Sequence, residues 1–219
     1  MWPFNRNRRT ASNVQFRGLT DWHSHILPGV DDGVKTMDEA LLILEHLEKA
    51  GVVDVWLTPH IMEDYPNSTD MLRARFGELI EAYRGNIKLH LAAENMLDNI
   101  FEERLKADDL LPMSENRLLV ETSYFNPPIG LNGILEDIIK HGYRPVLAHP
   151  ERYLYMNADD YKTLQAMGIL FQLNIFSLTG YYGKEAQKKA KWLQKQGMYS
   201  ISGTDLHNSA ALSRIPLQQ

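Results

Sequence analysis

Residues 134–150 read ILEDIIKHGYRPVLAHP, and this stretch contains the unit from which the rest of the chain can be read. Leu135, Ile138 and Ile139 fall on one face at helical spacing. Gly142 follows where a left-handed C-cap is needed, and Arg144–Ala148 is a short β-rich run that ends directly in His149. The same unit recurs along the chain. β-rich runs lie at Gly18–Ser24, Val52–Thr58, Ile87–Ala93, Arg117–Val120, Arg144–Ala148, Ile169–Leu173 and Tyr199–Ser202. Helical spacing spans Asp38–Ala50, Asp70–Arg84, Ile134–His141, Ala158–Met167 and Glu185–Gln196, and Gly51, Gly168 and Gly197 each sit just past one of these stretches. Strands alternating with helices predict a mainly parallel sheet with right-handed crossovers. Seven such runs suit a closed or nearly closed β/α barrel better than an open sheet. No Pro-, Gly- or Ser-rich linker, repeat or low-complexity tract interrupts residues 18–219, so one domain is expected there, preceded by a loose extension over residues 1–17.

Composition narrows the chemistry. The 219 residues are 44% apolar, carry a formal charge of −5 and contain no cysteine. Disulfides, thiolate zinc sites and thiol catalysis are therefore excluded, and any transition-metal chemistry must use histidine and carboxylate. The acidic balance, with no dominant basic tract, argues against a nucleic-acid partner held by phosphate contacts. No apolar run approaches the ~20 residues of a membrane-spanning helix. Arg6, Arg8 and Arg9 are not followed by an apolar segment of signal-peptide type, so a cytoplasmic location is expected.

Six of the seven runs lead into a residue able to bind a hard or borderline cation: His23 and His25, His60, Glu94, Glu121, His149, and Asp205 with His207. In a parallel barrel these positions share one rim, the face that carries active sites in such folds. Residues i and i+2 of a strand point the same way, so His23 and His25 can turn inward together, as can Asp205 and His207. Asp31 lies in the turn Leu27–Gly33 (LPGVDDG), whose Pro, Asp and Gly would form a turn in any case, so composition leaves its role open. His46, His90 and His141 read as flank, strand and helix-end residues outside the site.

The series His23-Ser24-His25, LPGVDDG (27–33), Thr58-Pro59-His60, Ala93-Glu94, Val120-Glu121, AHPER (148–152) and GTDLHN (203–208) resembles the polymerase-and-histidinol-phosphatase (PHP) superfamily, in consistent order from about Leu19 to Asn208. More closely, it is similar to the metal-dependent protein-tyrosine phosphatases of bacterial capsule and exopolysaccharide operons. The resemblance implies an α/β fold of the distorted (β/α)7 TIM-like barrel type. It also implies three divalent metal ions, with manganese first and iron, magnesium or zinc as alternatives. Carried over by position, His23, His25, Glu94 and Asp205 hold one cation; Glu94, Glu121 and His149 a second; Asp31, His60 and His207 a third. Arg152 would grip the substrate phosphate, with His149 and Asp205 beside it as catalytic residues. A second arginine is expected five residues after His207, where this chain has Leu212; Arg214 is the nearest candidate. Tyr181 and Tyr182 stand where they could stack on a substrate ring.

The implied reaction is removal of phosphate from protein phosphotyrosine, the partner being a tyrosine kinase with a tyrosine-rich tail. Four carboxylates against three divalent cations leave a site charge of about +2, which suits a phosphate dianion. Two alternatives stay open on sequence: a phosphatase for small monoesters of the histidinol phosphate kind, and a binding module that keeps its metals without turnover. Oligomeric state is not readable from the sequence.

Overall fold

The computed structural model describes residues 16–217. β1 (Thr20–Ser24), β2 (Asp54–Leu57) and β4 (Lys88–Leu91) form a three-stranded parallel sheet in the order β1-β2-β4. β3 (His60–Ile61), β5 (Glu94–Met96), β6 (Arg117–Glu121), β7 (Arg144–Ala148), β8 (Leu170–Asn174) and β9 (Ile201–Gly203) form a six-stranded parallel sheet in that order. The architecture is α/β with parallel sheets, the larger one a curled half-barrel.

Two of the expected runs, Val52–Thr58 and Ile87–Ala93, are each followed past a two-residue break by a further short strand. Thr58-Pro59 separates β2 from β3, and Ala92-Ala93 separates β4 from β5. Pro59 has no N–H to give the ladder, yet pairing continues across both breaks. Thr58 N donates to Ser24 O at 2.8 Å, Ala92 N to Leu57 O at 2.9 Å and Glu94 N to Pro59 O at 3.1 Å. The chain after β9 also reaches back to β1, with Asp205 N donating to His23 O at 2.7 Å and His25 N to Leu206 O at 3.0 Å.

Helices α1 (Met37–Lys49), α2 (Thr69–Ala82), α3 (Phe101–Lys106), α4 (Leu131–Lys140), α5 (Ala158–Ala166) and α6 (Lys184–Lys195) connect the strands. Their ends follow local chemistry. Thr36 caps α1 by accepting from Glu39 N, and Asn157 with Asp160 makes a reciprocal capping box on α5. Gly142 takes φ +88° just past α4, and Gly51, Gly168 and Gly197 follow α1, α5 and α6 in the same way. Among the described residues, no helix is long and apolar enough to cross a membrane.

Strand alternation separates two environments. Leu118, Val120 and Leu147 pack with Leu135, Ile138, Leu164 and Leu193 of the helices. Their neighbours Leu119, Val146 and Ala148 pack instead with Trp56, Ala92 and Ile201, a cluster without helix residues. Along this inner parity apolar residues give way to polar ones at the C-terminal ends: Trp56 leads to Thr58 and His60, Ala92 to Glu94, Leu119 to Glu121, and Leu170 to Gln172 and Asn174. Phe16, which the sequence reading puts in the N-terminal extension, is buried in the core beneath α1 and α2. Trp2, Phe4 and the three arginines between residues 6 and 9 lie outside the described residues.

Gly203 is needed for close approach. A Cβ there would meet His23 N and His23 Cβ at 2.6 Å, and the His23 backbone is fixed by its hydrogen bond from Asp205. Gly203→Ala is expected to destabilise the protein by roughly 1–3 kcal/mol, the usual range for overpacking, as read by urea unfolding. An unchanged midpoint would show that β1 and β9 can separate freely.

Candidate metal centre

β1, β3, β5, β6, β7 and β9, or the residues just past their ends, deliver side chains to a common point. The Nε2 atoms of His23 and His25 lie 3.1 Å apart, and both are 3.2 Å from Glu94 Oε2. Asp205 Oδ1 completes this group at 3.5 Å from His23 and 3.3 Å from His25. Glu94 is shared with a second group. His60 Nδ1 lies 3.2 Å from Glu94 Oε2 and 3.1 Å from Glu121 Oε1. His149 Nε2 lies 3.1 Å from Glu94 Oε1 and 3.8 Å from Glu121 Oε2. A third group joins His25, His60 and His207 with Asp32, whose Oδ1 is 3.6 Å from Nε2 of both His60 and His207.

At the LPGVDDG turn the structure differs from the sequence expectation: the Asp32 carboxylate, not that of Asp31, faces the His60 and His207 rings. Both oxygens of Asp31 are already engaged. Oδ2 lies 2.8 Å from His25 Nδ1 and accepts from His60 N at 2.9 Å, while Oδ1 accepts from Gly33 N at 2.9 Å. Gly33 packs so closely that a Cβ would sit 2.3 Å from His25 O. Asp31 therefore turns the His25 ring so that Nε2 points into the centre, the usual carboxylate–histidine arrangement behind a metal ligand. His60 faces two groups at once: Nε2 turns toward Asp32 in the third group, where the sequence reading puts it, and Nδ1 toward Glu94 and Glu121.

These donors fit divalent cations better than they fit one another. Glu94 Oε2 and His60 Nδ1 are buried without a hydrogen bond of ordinary geometry, although ring nitrogens surround the carboxylate oxygen at 3.2 Å. Imidazole and carboxylate without sulfur suit manganese, iron, zinc or magnesium.

Above the centre lies a pocket of about 310 Å³ whose wall includes Tyr124, Arg152, Phe176, Tyr181 and Tyr182. Arg152 Nη1 donates to Asp205 Oδ2 at 2.6 Å, and its guanidinium lies 4.4 Å from the Tyr124 ring centre and 4.1 Å from that of Tyr182. Tyr182 OH donates to the same Asp205 oxygen at 3.3 Å. Tyr124, Asp32 and Asn208 also line the pocket and were not singled out from sequence. Leu212 is buried in the core and offers no cation, while the Arg214 guanidinium lies 4.4 Å over the Tyr181 ring. Tyr124 forms the wall after β6, and its neighbour Phe125 is exposed. A larger hollow of about 750 Å³ between Pro127 and Leu164 has no histidine, and its one acid, Asp160, caps α5. His46, His90 and His141 bond to Ile215 O, Asp54 and Asp137 O, away from the centre.

A family model described as "Capsular polysaccharide synthesis, CpsB/CapC" matches residues 19–218. The chain belongs to the CpsB/CapC family. CapC of Staphylococcus aureus is 28% identical over 197 residues, covering 87% of this chain and 77% of CapC. The tyrosine-protein phosphatase YwqE of Bacillus subtilis is 26% identical over 197 residues, covering 87% and 78%. A crystal structure of the metal-dependent tyrosine phosphatases YwqE and CpsB, the latter from Streptococcus pneumoniae, superposes with a TM-score of 0.79 over 89% of this chain and 81% of that one. At 24% identity this last likeness carries the fold.

In this CpsB/CapC chain the buried charges hold one another. Desolvation alone would lower His23, but Glu94 and Asp205 outweigh it and push His23 up to about 9. Desolvation would raise Asp205, yet His23, His25 and Arg152 hold it well below the usual carboxylate range. His149 moves the other way, down to about 4, because burial and nearby Arg152 both disfavour its cation. Burial and the neighbouring Glu94 charge push Glu121 up.

The two aspartates of the turn are separable by experiment. Burial would raise Asp31, but the His25 ring and the His60 N–H hold it at about 2, below its ordinary 3.8. Asp31→Ala is expected to lose about 2 kcal/mol of metal-free stability at neutral pH. The contribution is present above pH 3.8 and lost as pH falls through about 2, so the two proteins converge in acid. Asp32→Ala, whose side chain is half exposed, should leave metal-free stability unchanged and lose one bound cation by mass spectrometry. Equal behaviour of the two variants would remove the distinction.

Proposed function

We propose that this chain is a metal-dependent protein-tyrosine phosphatase that hydrolyses the phosphate monoester of phosphotyrosine. Its target in this reading is a tyrosine kinase tail in the cytoplasm. Residues 18–219 are read as one PHP-type domain, its strand runs forming a distorted (β/α)7 barrel linked at the β9–β1 edge. The observation that carries the reading is the position of three donor groups, sharing His25, His60 and Glu94, beneath a pocket walled by Arg152 and tyrosines.

His23, His25, Glu94 and Asp205 would hold one cation, Glu94, Glu121 and His149 a second, and Asp32, His60 and His207 a third, with manganese the first choice. Bound there, such cations would activate water and offset negative charge on the phosphate. Arg152 offers a fork that matches two phosphate oxygens. The tyrosine rings on either side restrict the guanidinium plane and shorten the set of orientations it must lose on binding. Asp205, held ionised by His23, His25 and Arg152, serves as a ligand rather than as the proton donor. A phenol, with a pKa near ~10, leaves with less need of a proton than an alcohol does. Tyr181 and Tyr182 would flank the substrate ring.

Protein reconstituted with Mn²⁺ tests the reading on a phosphotyrosine peptide, a phosphoserine peptide, histidinol phosphate and p-nitrophenyl phosphate. The phosphotyrosine peptide should be turned over with the highest kcat/KM. Preference for histidinol phosphate would make this a small-molecule phosphatase. Bound metal without turnover of any of the four would make it a binding module.

A further inference from the structure

β8 is the strand of the larger sheet whose end supplies no candidate ligand, yet it places Gln172 in the middle of the site's supporting layer. The side chain is fully buried. Gln172 Oε1 lies 3.0 Å from His23 Nδ1 and accepts from His149 N at 3.0 Å, while Nε2 donates to Leu173 O at 2.7 Å. A backbone N–H can only donate and a backbone carbonyl can only accept, so these two contacts decide which end of the amide is oxygen. An amide oxygen cannot donate. In the neutral ring that a cation requires, the proton must therefore sit on Nδ1, which leaves the Nε2 lone pair directed at the point shared with Glu94 and Asp205.

We infer that Gln172 is a positioning residue that sets the His23 tautomer for cation binding and, through the same oxygen, holds the His149 backbone in place. His149 adopts φ +33°, a left-handed conformation that a non-glycine residue keeps only when its surroundings impose it. One neutral amide thus braces two candidate ligands from strand ends on either side of it. The two histidines of the His23-Ser24-His25 pair are oriented by different chemistry: His25 has the carboxylate of Asp31 behind it, and His23 has an uncharged oxygen. Asn174, two residues on and on the same face, repeats the device by donating to Asp205 Oδ2 at 2.8 Å.

This inference rests on the reading of the centre as a divalent-cation site, and Mn²⁺ titration of the wild-type protein by calorimetry checks that reading separately. Given wild-type binding, Gln172→Leu should weaken the affinity of one site roughly 10–100-fold, the range for loss of a ligand's outer partner. Gln172→Glu keeps an acceptor oxygen opposite His23 and should bind Mn²⁺ at least as tightly as wild type. In the Zn²⁺-loaded wild-type protein, nitrogen-15 NMR should show His23 with a slowly exchanging proton on Nδ1. Unchanged affinity in Gln172→Leu, equal weakening in Gln172→Glu, or zinc coordinated through His23 Nδ1 would each overturn the inference. The NMR result and the Gln172→Glu variant decide the matter even if Gln172→Leu does not fold.

Discussion

Glu94→Ala is expected to reduce phosphotyrosine turnover on the order of 10³-fold or more and to reduce the number of bound cations by more than one. The magnitude follows from sharing. Loss of a ligand's outer partner alone costs ~10–100-fold, whereas Glu94 faces four histidines directly, with Oε2 at 3.2 Å from His23, His25 and His60 and Oε1 at 3.1 Å from His149. It is also the carboxylate common to two donor groups. Removing it leaves imidazoles converging on one another with no anion between them. His23, raised to about 9 chiefly by Glu94, should then titrate lower, which NMR would detect. Chelator treatment of the wild-type protein should reproduce the activity loss, and Mn²⁺ should restore wild type but not Glu94→Ala. A variant that keeps its full metal complement would show that Glu94 is not the shared ligand.

Sequence places Glu94 at the donor cluster, whereas it does not tell which aspartate of the LPGVDDG turn faces His60 and His207, and the difference comes down to what fixes a side chain's direction. Glu94 ends a strand run, and strand parity with Ala92 points it inward. The same rule places Glu121 after Leu119 and His60 after Trp56, and the helix–glycine–strand rhythm locates all five long helices within a few residues. Inside the LPGVDDG turn no periodicity applies. The direction of each aspartate is decided by Gly33 pressing against His25 O and by the N–H groups of Gly33 and His60, contacts made across the fold. Tyr124 lies beyond the end of β6, where parity no longer holds, and so was missed. The separate strands β3 and β5 were missed because two or three residues after a proline or a pair of alanines carry no pattern of their own. α3, at six residues, is too short to display an apolar face.

Arg152→Ala is expected to lower kcat/KM for a phosphotyrosine peptide by about 10²–10³-fold, the range for loss of a charge-stabilising donor, with metal content unchanged. The size of the effect reflects the absence of a substitute. Leu212 is packed into the core where the resemblance leads one to expect a second arginine, and the Arg214 guanidinium lies against Tyr181, outside the residues that line the pocket. Arg214→Ala should accordingly cost less than about 10-fold, within the modest range for an exposed cation–π partner. Arg152→Lys should recover only part of the loss, because an ammonium presents a point charge where the guanidinium presents two parallel donors. The bond from Arg152 to Asp205 Oδ2 gives the experiment a second readout. Asp205 Oδ1 faces His23 and His25 while Oδ2 takes hydrogen bonds from Arg152, Asn174 and Tyr182. If Arg152 acts on substrate, its loss leaves Asn174 and Tyr182 to hold Asp205, and cation affinity survives. If Arg152 chiefly orients Asp205, Arg152→Ala should lose metal along with activity, and the phosphate-binding role would pass to the cations alone.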